Sequence, residues 1–84
     1  MDSKKWIIEW FEINSDLNLE EIKKFEKDDY LAKGWIDSFK FVTLITEIEE
    51  KFKVTFSNNE FQDKRFVTLE GLSKIIEVKI EKEI

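Results

Sequence analysis

The chain has 84 residues, 19 acidic against 14 basic, for a net charge of −5, with no histidine, cysteine or proline. That length makes one domain, residues 1–84, with space for a core but not for an enclosed active site beside it. The acidic balance disfavours nucleic acid and anionic membranes and favours basic protein partners, the lack of cysteine excludes a disulfide framework or thiolate metal site, and 42% hydrophobic content argues against a disordered tail.

Ser3 to Asn14 reads as a first helix. Trp6, Trp10 and Ile13 follow i, i+4, i+7 spacing, Ile7 and Phe11 widen that stripe, and Lys5, Glu9 and Glu12 fall opposite. Tryptophans at helical spacing serve a core more often than a ligand platform. The apolar run from Trp6 to Phe11 is broken by Glu9 and is too short for a membrane or signal segment, so a cytoplasmic protein that avoids membranes is expected. The lysine pairs at 4–5 and 23–24 lie among acids and form no basic patch.

Ser15 to Trp35 is a long polar connection. Asn18 with Glu21 makes a capping arrangement, and the i, i+3, i+6 spacing of Leu19, Ile22 and Phe25 predicts a short helix near residues 19 to 26. Tyr30, Leu31, Trp35 and Ile36 are the expected anchors that pin this loop across the fold.

From Gly34 to Val54 the pattern is the most regular in the chain. Gly34 permits a sharp turn, Asp37 is an N-cap, and a helix should start at Ser38. At about 100° per residue, Phe41, Leu44, Ile45, Ile48 and Phe52 occupy one arc of roughly 100°, with Lys40, Thr43, Glu47, Glu50 and Lys51 on the other side. Phe39 lies about 160° from Phe41. Burying the core stripe therefore leaves this ring in water beside the Ser38 hydroxyl, with Thr43, Thr46, Glu47 and Glu50 continuing the outward strip. An aromatic anchor ringed by polar groups has the composition of a small binding hot spot. A phosphodiester on Ser38 would meet the unpaired N–H groups and positive dipole of a helix N-terminus. Ser38 has no histidine or thiol in the chain to activate it, so a partner enzyme must supply the chemistry.

After this helix Val54-Thr55-Phe56 is extended in character, Ser57 to Glu60 is a capping box that opens a short helix through about Asp63, and Phe56, Phe61 and Phe66 flank it. Thr68 caps the last helix, with Leu69, Leu72, Ile76 and Ile80 on one face, Ile75 beside them, and alternating charges after Ile76. Gly71 weakens that helix by up to about 1 kcal/mol relative to alanine. The elements together predict an all-α fold, a four-helix bundle with a short third helix, one long first loop and an extra helical turn within it.

Gly34-Trp35-Ile36-Asp37-Ser38-Phe39, followed by Val42, Leu44-Ile45, Ile48-Glu49-Glu50 and Phe52, resembles the Gly-x-x-Asp-Ser-Leu helix of acyl carrier proteins, and the likeness continues through Val54, Ser57 to Asp63 and Phe66-Val67-Thr68. It covers the C-terminal half strongly and the rest in outline. The resemblance implies a non-enzymatic carrier, monomeric, whose Ser38 holds 4′-phosphopantetheine derived from coenzyme A. A phosphopantetheinyl transferase would attach the arm, with the residue matching Asp37 helping to hold that enzyme's divalent ion. Acyl- or aminoacyl-loading and transfer enzymes would then dock on Phe39, Thr43, Glu47 and Glu50. Fatty acid synthesis, an aminoacyl or peptidyl pathway and a dedicated acyl transfer all remain open. Lys40 and Thr43 depart from the more acidic helix start usual in carriers for fatty acid synthesis.

Two other readings use the same residues. Asp37 and Ser38 can simply cap a helix, in a small acidic protein that binds or inhibits a basic partner without a prosthetic group. Against that, no acidic face with central tyrosines is present, since Tyr30 is the only tyrosine. A hydrolase built on Ser38 would need a base that the chain does not provide.

Overall fold

In a computed structural model describing residues 3–82, with the side chain of Lys82 excepted, helix α1 spans Ser3–Asn14 and buries Ile7, Ile8, Trp10 and Phe11. The predicted stripe is rotated relative to this arc. Ile7 and Phe11 lie at its centre, and Ile13, which falls roughly 140° from their midpoint, is 81% exposed rather than buried. Trp6 sits at the edge, half-buried, with its ring edge-on to Phe52 at 5.7 Å.

Helix α2, Leu19–Lys24, lies within the long loop. Its capping box forms as the sequence implies: the Glu21 N–H donates to Asn18 Oδ1 at 2.9 Å and the Asn18 N–H to Glu21 Oε1 at 3.2 Å. The helix stops before Phe25, short of the expected residue 26, and of its predicted stripe only Ile22 is fully buried. The anchors that follow do pin the loop. Tyr30 and Ile36 are buried, and Leu31 and Trp35 pack partly against the core. The Tyr30 N–H donates to the Val67 carbonyl at 3.0 Å and its phenol to the Phe66 carbonyl at 2.7 Å, which ties the loop to the far end of the chain.

Helix α3, Ser38–Phe52, buries Leu44, Ile45, Ile48 and Phe52. It ends at Lys53, whose φ of 57° is left-handed, a conformation usually given to glycine. Helix α4, Asn58–Phe61, opens with the Ser57 N–H donating to Glu60 Oε1 at 2.8 Å. It does not continue to Asp63. The chain re-forms instead as a 3₁₀ turn over Lys64–Val67, with Asp63 accepting from the Arg65 N–H at 2.9 Å, and that turn drives Phe66 into the core. Helix α5, Leu69–Lys82, starts with the Gly71 N–H donating to Thr68 Oγ1 at 3.0 Å. Leu69, Leu72, Ile75 and Ile76 are buried and Ile80 is partly so. Of the charged segment after Ile76, the stretch beyond residue 82 lies outside the described residues.

The described residues are all helix, turn and loop, with no strand among them. Helix α5 runs alongside both α1 and the 3₁₀ turn. Gly71 makes the approach of the turn possible: a Cβ there would lie 2.2 Å from the Arg65 carbonyl oxygen. Helix α3 joins this group through side chains rather than close backbone contact. Phe41 lies 6.2 Å from Tyr30 and 6.0 Å from Phe66 between ring centroids, and Phe52 reaches Trp6. Large rings hold a helix farther from its neighbours than small side chains do, and their edge-on contacts still fill the space. Among the described residues no helix is long and apolar enough to cross a membrane.

Candidate functional site at the start of α3

The end of the long loop delivers three consecutive residues to solvent. Gly34 has φ +73°, in the region that favours glycine, and nothing lies within 4 Å of the position of an added Cβ. Its turn is closed by the Gly34 N–H on the Leu31 carbonyl at 3.1 Å and by the Trp35 N–H on the Tyr30 carbonyl at 3.0 Å. Ile36 then buries, which fixes the chain against the core immediately before the helix. Asp37, Ser38 and Phe39 follow, all exposed.

Asp37 caps α3 as its residue type predicts. Its Oδ1 accepts from the Lys40 N–H at 2.8 Å and its carbonyl from the Phe41 N–H at 2.9 Å. The N–H groups of Ser38 and Phe39, which precede the first intrahelical bond, are left pointing out of the helix end. Ser38 is the first residue of α3, so its hydroxyl stands beside those donors at the positive end of the dipole. Ser38 is exposed, and the free N–H groups of a helix N-terminus favour an anion rather than a cation beside it. The arrangement is electrostatically favourable to an anion. It supplies no base to deprotonate the serine, and the chain contains no histidine.

Phe39 is 84% exposed and Val42, one turn on, is 63% exposed. Thr43 and Thr46 lie on the same outward strip, and their hydroxyls turn back to the helix. Thr43 donates to the Phe39 carbonyl at 3.1 Å and Thr46 to the Val42 carbonyl at 2.9 Å. With those hydroxyls engaged, the strip from Phe39 to Thr46 is more apolar than its residue types suggest, and Glu50 continues it in solvent.

Two residues near this strip serve the packing of α3 on α1. Glu47 accepts a short hydrogen bond from Trp10 Nε1. Lys40 donates from Nζ to the Asn14 carbonyl at 2.7 Å, placing a cation at the C-terminus of α1, where the helix dipole is negative. Sequence reading missed both. Trp10 and Glu47 are separated by 37 positions and Lys40 and Asn14 by 26, so no local pattern couples them. Val42 was legible from its position on the helical wheel, three residues from Phe39. A surface groove between α1 and α2, lined by Lys4, Ile8, Glu9, Leu19 and Glu26, carries mixed charge and does not include Ser38.

Among the described residues, the shifted groups are Asp63 and Arg65, Glu60, Glu70 and Tyr30. The Arg65 guanidinium, together with the Arg65 N–H, holds the Asp63 carboxyl down to about 2. Burial pushes Glu60 up, but hydrogen bonds from Lys79 and from the Ser57 N–H outweigh it and leave the group below its ordinary value. Burial, aided by the charge of Asp29, raises the Tyr30 phenol far above its usual range, so it remains a donor to Phe66 throughout ordinary conditions. Set against protein-family models, curated proteins and solved structures, the chain has no match in any of the three.

Proposed function

We propose that the chain is a carrier protein whose Ser38 bears a 4′-phosphopantetheine arm and presents an acyl or aminoacyl thioester to partner enzymes. The observation that carries this reading is the coincidence of register and exposure: the serine of a Gly34-x-x-Asp37-Ser38 sequence is the first, solvent-exposed residue of a capped helix, flanked by outward N–H groups. Helices α1, α3 and α5 with the short α4 support a four-helix carrier-like arrangement, in which α2 is the extra turn of the first loop.

In the attachment reaction the Ser38 Oγ–phosphorus bond forms as the pyrophosphate P–O bond of coenzyme A breaks. Adenosine 3′,5′-bisphosphate leaves, and the serine proton passes to a base of the transferase. Asp37, next to the serine in sequence and the cap of α3, would help to hold that enzyme's divalent ion, as the carrier resemblance implies. The chain itself orients the serine and contributes no catalytic step. The strip from Phe39 to Glu50 is the surface for the loading and transfer enzymes, and the protein would work as a cytoplasmic monomer.

The test is transfer. Incubated with coenzyme A, magnesium and a broad-specificity phosphopantetheinyl transferase, the wild-type protein should gain the mass of one phosphopantetheine, and Ser38→Ala should gain none. Because the chain has no cysteine, a thiol reagent should label the product alone. Failure with several such transferases would favour a small acidic binding or inhibitor protein.

A further inference from the structure

Helices α1 and α3 run antiparallel along a seam. Lys40 Nζ donates to the Asn14 carbonyl near the start of α3, Trp10 Nε1 donates to Glu47 farther along, and the Trp6 ring meets Phe52 at its end. A surface groove follows this seam, lined by Trp6, Glu9, Trp10, Ile13, Asn14 and Glu47. Ile13 continues the apolar spacing of α1 and yet is 81% exposed. A lone exposed isoleucine is ordinary. One that shares an open groove with two indoles extends their apolar surface into solvent, and joined apolar surface of that kind marks interaction sites.

The charge around this apolar surface has one sign. Glu9 and Glu47 are exposed, and no lysine of either helix lines the groove. Lys40, at the Asn14 end, is engaged by the Asn14 carbonyl at 2.7 Å. Glu47 accepts from Trp10 through Oε2, and the other oxygen of a carboxylate has lone pairs for a further donor. A guanidinium or ammonium group can pair with such carboxylates and lie over an indole face at the same time. At about 100° per residue, Glu47 stands about 180° around α3 from Ser38, so a segment seated in the groove leaves the serine uncovered.

We propose that the groove between α1 and α3 docks a basic amphipathic segment of a partner protein, with an apolar side chain against Trp6 and Ile13 and a basic one between Glu9 and Glu47, while Ser38 stays free. Charge and apolar surface together select this occupant. A small cation would leave Ile13 in water, and an acidic segment would meet two like charges. A chain that carries both apolar and basic side chains satisfies both parts of the groove, and the net charge of −5 favours its approach. The proposal goes beyond the carrier reading and does not depend on what Ser38 bears.

The test titrates the isotope-labelled full chain, followed by NMR, with a synthetic peptide of leucine and arginine at helical spacing. A counterpart with glutamate in place of every arginine serves as the control. The basic peptide should bind saturably and move the indole resonances of Trp6 and Trp10 but not that of Trp35, and the acidic one should not bind. Ile13→Ser, at an exposed position, should keep the fold and weaken binding about fivefold or more. Glu9→Gln should weaken it at low salt and less so at high salt, and Leu19→Ser, in the groove between α1 and α2, should change nothing. No saturable binding, equal binding of the acidic peptide, or an affinity unchanged by Ile13→Ser would overturn the proposal. So would shifts centred on Phe39 and Val42, or self-association of the free protein through Ile13, which would assign the groove to a second copy. Phosphopantetheine transfer to Ser38 should proceed at the same rate with the peptide bound, and a block at saturation would disprove that the serine stays free. Absence of transfer with and without peptide would sink the carrier reading alone, because docking is scored by NMR.

Discussion

Tyr30 shows how much one buried side chain of the preceding loop contributes to holding the proposed site in place. Its phenol is the partner of the Phe66 carbonyl and its ring lies 5.1 Å from Phe11, so it joins the loop before Ser38 to both ends of the chain. Tyr30→Phe keeps the ring and leaves a buried carbonyl without its donor, which should cost about 1 to 3 kcal/mol. Chemical denaturation would measure this, and an unchanged midpoint would mean that water reaches the Phe66 carbonyl. Asp63 provides a residue-scale test of a different kind. Its folded pKa of about 2 lies below the ordinary 3.8, so its contribution to stability is present above pH 3.8 and is lost as pH falls through 3.8 toward 2. The pair with Arg65 is exposed at the surface and its effect on global stability is small. The titration itself is the useful readout. In carboxyl-detected NMR, Asp63 should titrate near 2 in the wild type and move up toward 3.8 in Arg65→Gln, and a midpoint unmoved by that change would disprove the assignment to Arg65.

At the scale of elements, capping and close approach make opposite demands on local sequence. Asp37 caps α3 through the Lys40 N–H, so Asp37→Ala should cost about 0.5 to 2 kcal/mol. Ser38→Ala removes an exposed hydroxyl while the cap remains and should cost no more than about 1 kcal/mol. Thermal melts of the two variants should preserve that order, with Ser38→Ala folded but unable to accept phosphopantetheine. Gly71 presents the reverse case. Helix propensity alone would make Gly71→Ala stabilising by up to about 1 kcal/mol. An added Cβ would instead stand 2.2 Å from the Arg65 carbonyl oxygen and 2.6 Å from Arg65 Cβ. Backbone cannot yield as a flexible side chain does, so the contact should outweigh propensity and leave the variant destabilised by about 1 to 3 kcal/mol. A gain in stability would show that α5 and the 3₁₀ turn separate freely.

For the molecule as a whole, the proposed carrier function depends on one exposed helix face being available to several enzymes while the opposite face holds the fold. Phe39 belongs to the first face, and removing its ring should leave folding and arm attachment intact. Phe39→Ala should weaken docking of the cognate loading enzyme by about 1 to 2 kcal/mol. Glu50→Lys should slow association, and added salt should shrink that difference. Glu47 is a poorer probe of docking, because its reversal also removes the acceptor of Trp10 Nε1 and so disturbs α1 against α3. Loading rates for Phe39→Ala and Glu50→Lys at low and high salt decide the matter: rates equal to wild type for both would place recognition on another surface.

What the sequence determined by itself was local. Periodicity and capping residues were enough to place α1 at Ser3–Asn14, the start of α3 at Ser38 and the outward position of Phe39, because a helix's face and its first turn depend on neighbours within four residues. They were also enough to mark Asn18, Ser57 and Thr68 as helix starts. The tertiary structure decided what depends on distant partners. The exposure of Ile13 follows from which arc of α1 meets α5, and the 3₁₀ turn at Lys64–Val67 from the need to seat Phe66 among Phe41, Phe56 and Phe61. Gly71, legible only as a weak point in a helix, proved to be the place where two backbones meet. Glu47, read as a free surface acid, became a partner of Trp10. In each of these cases the outcome was set by a contact between residues far apart in the chain, and helical periodicity carries information only about residues a turn or two away.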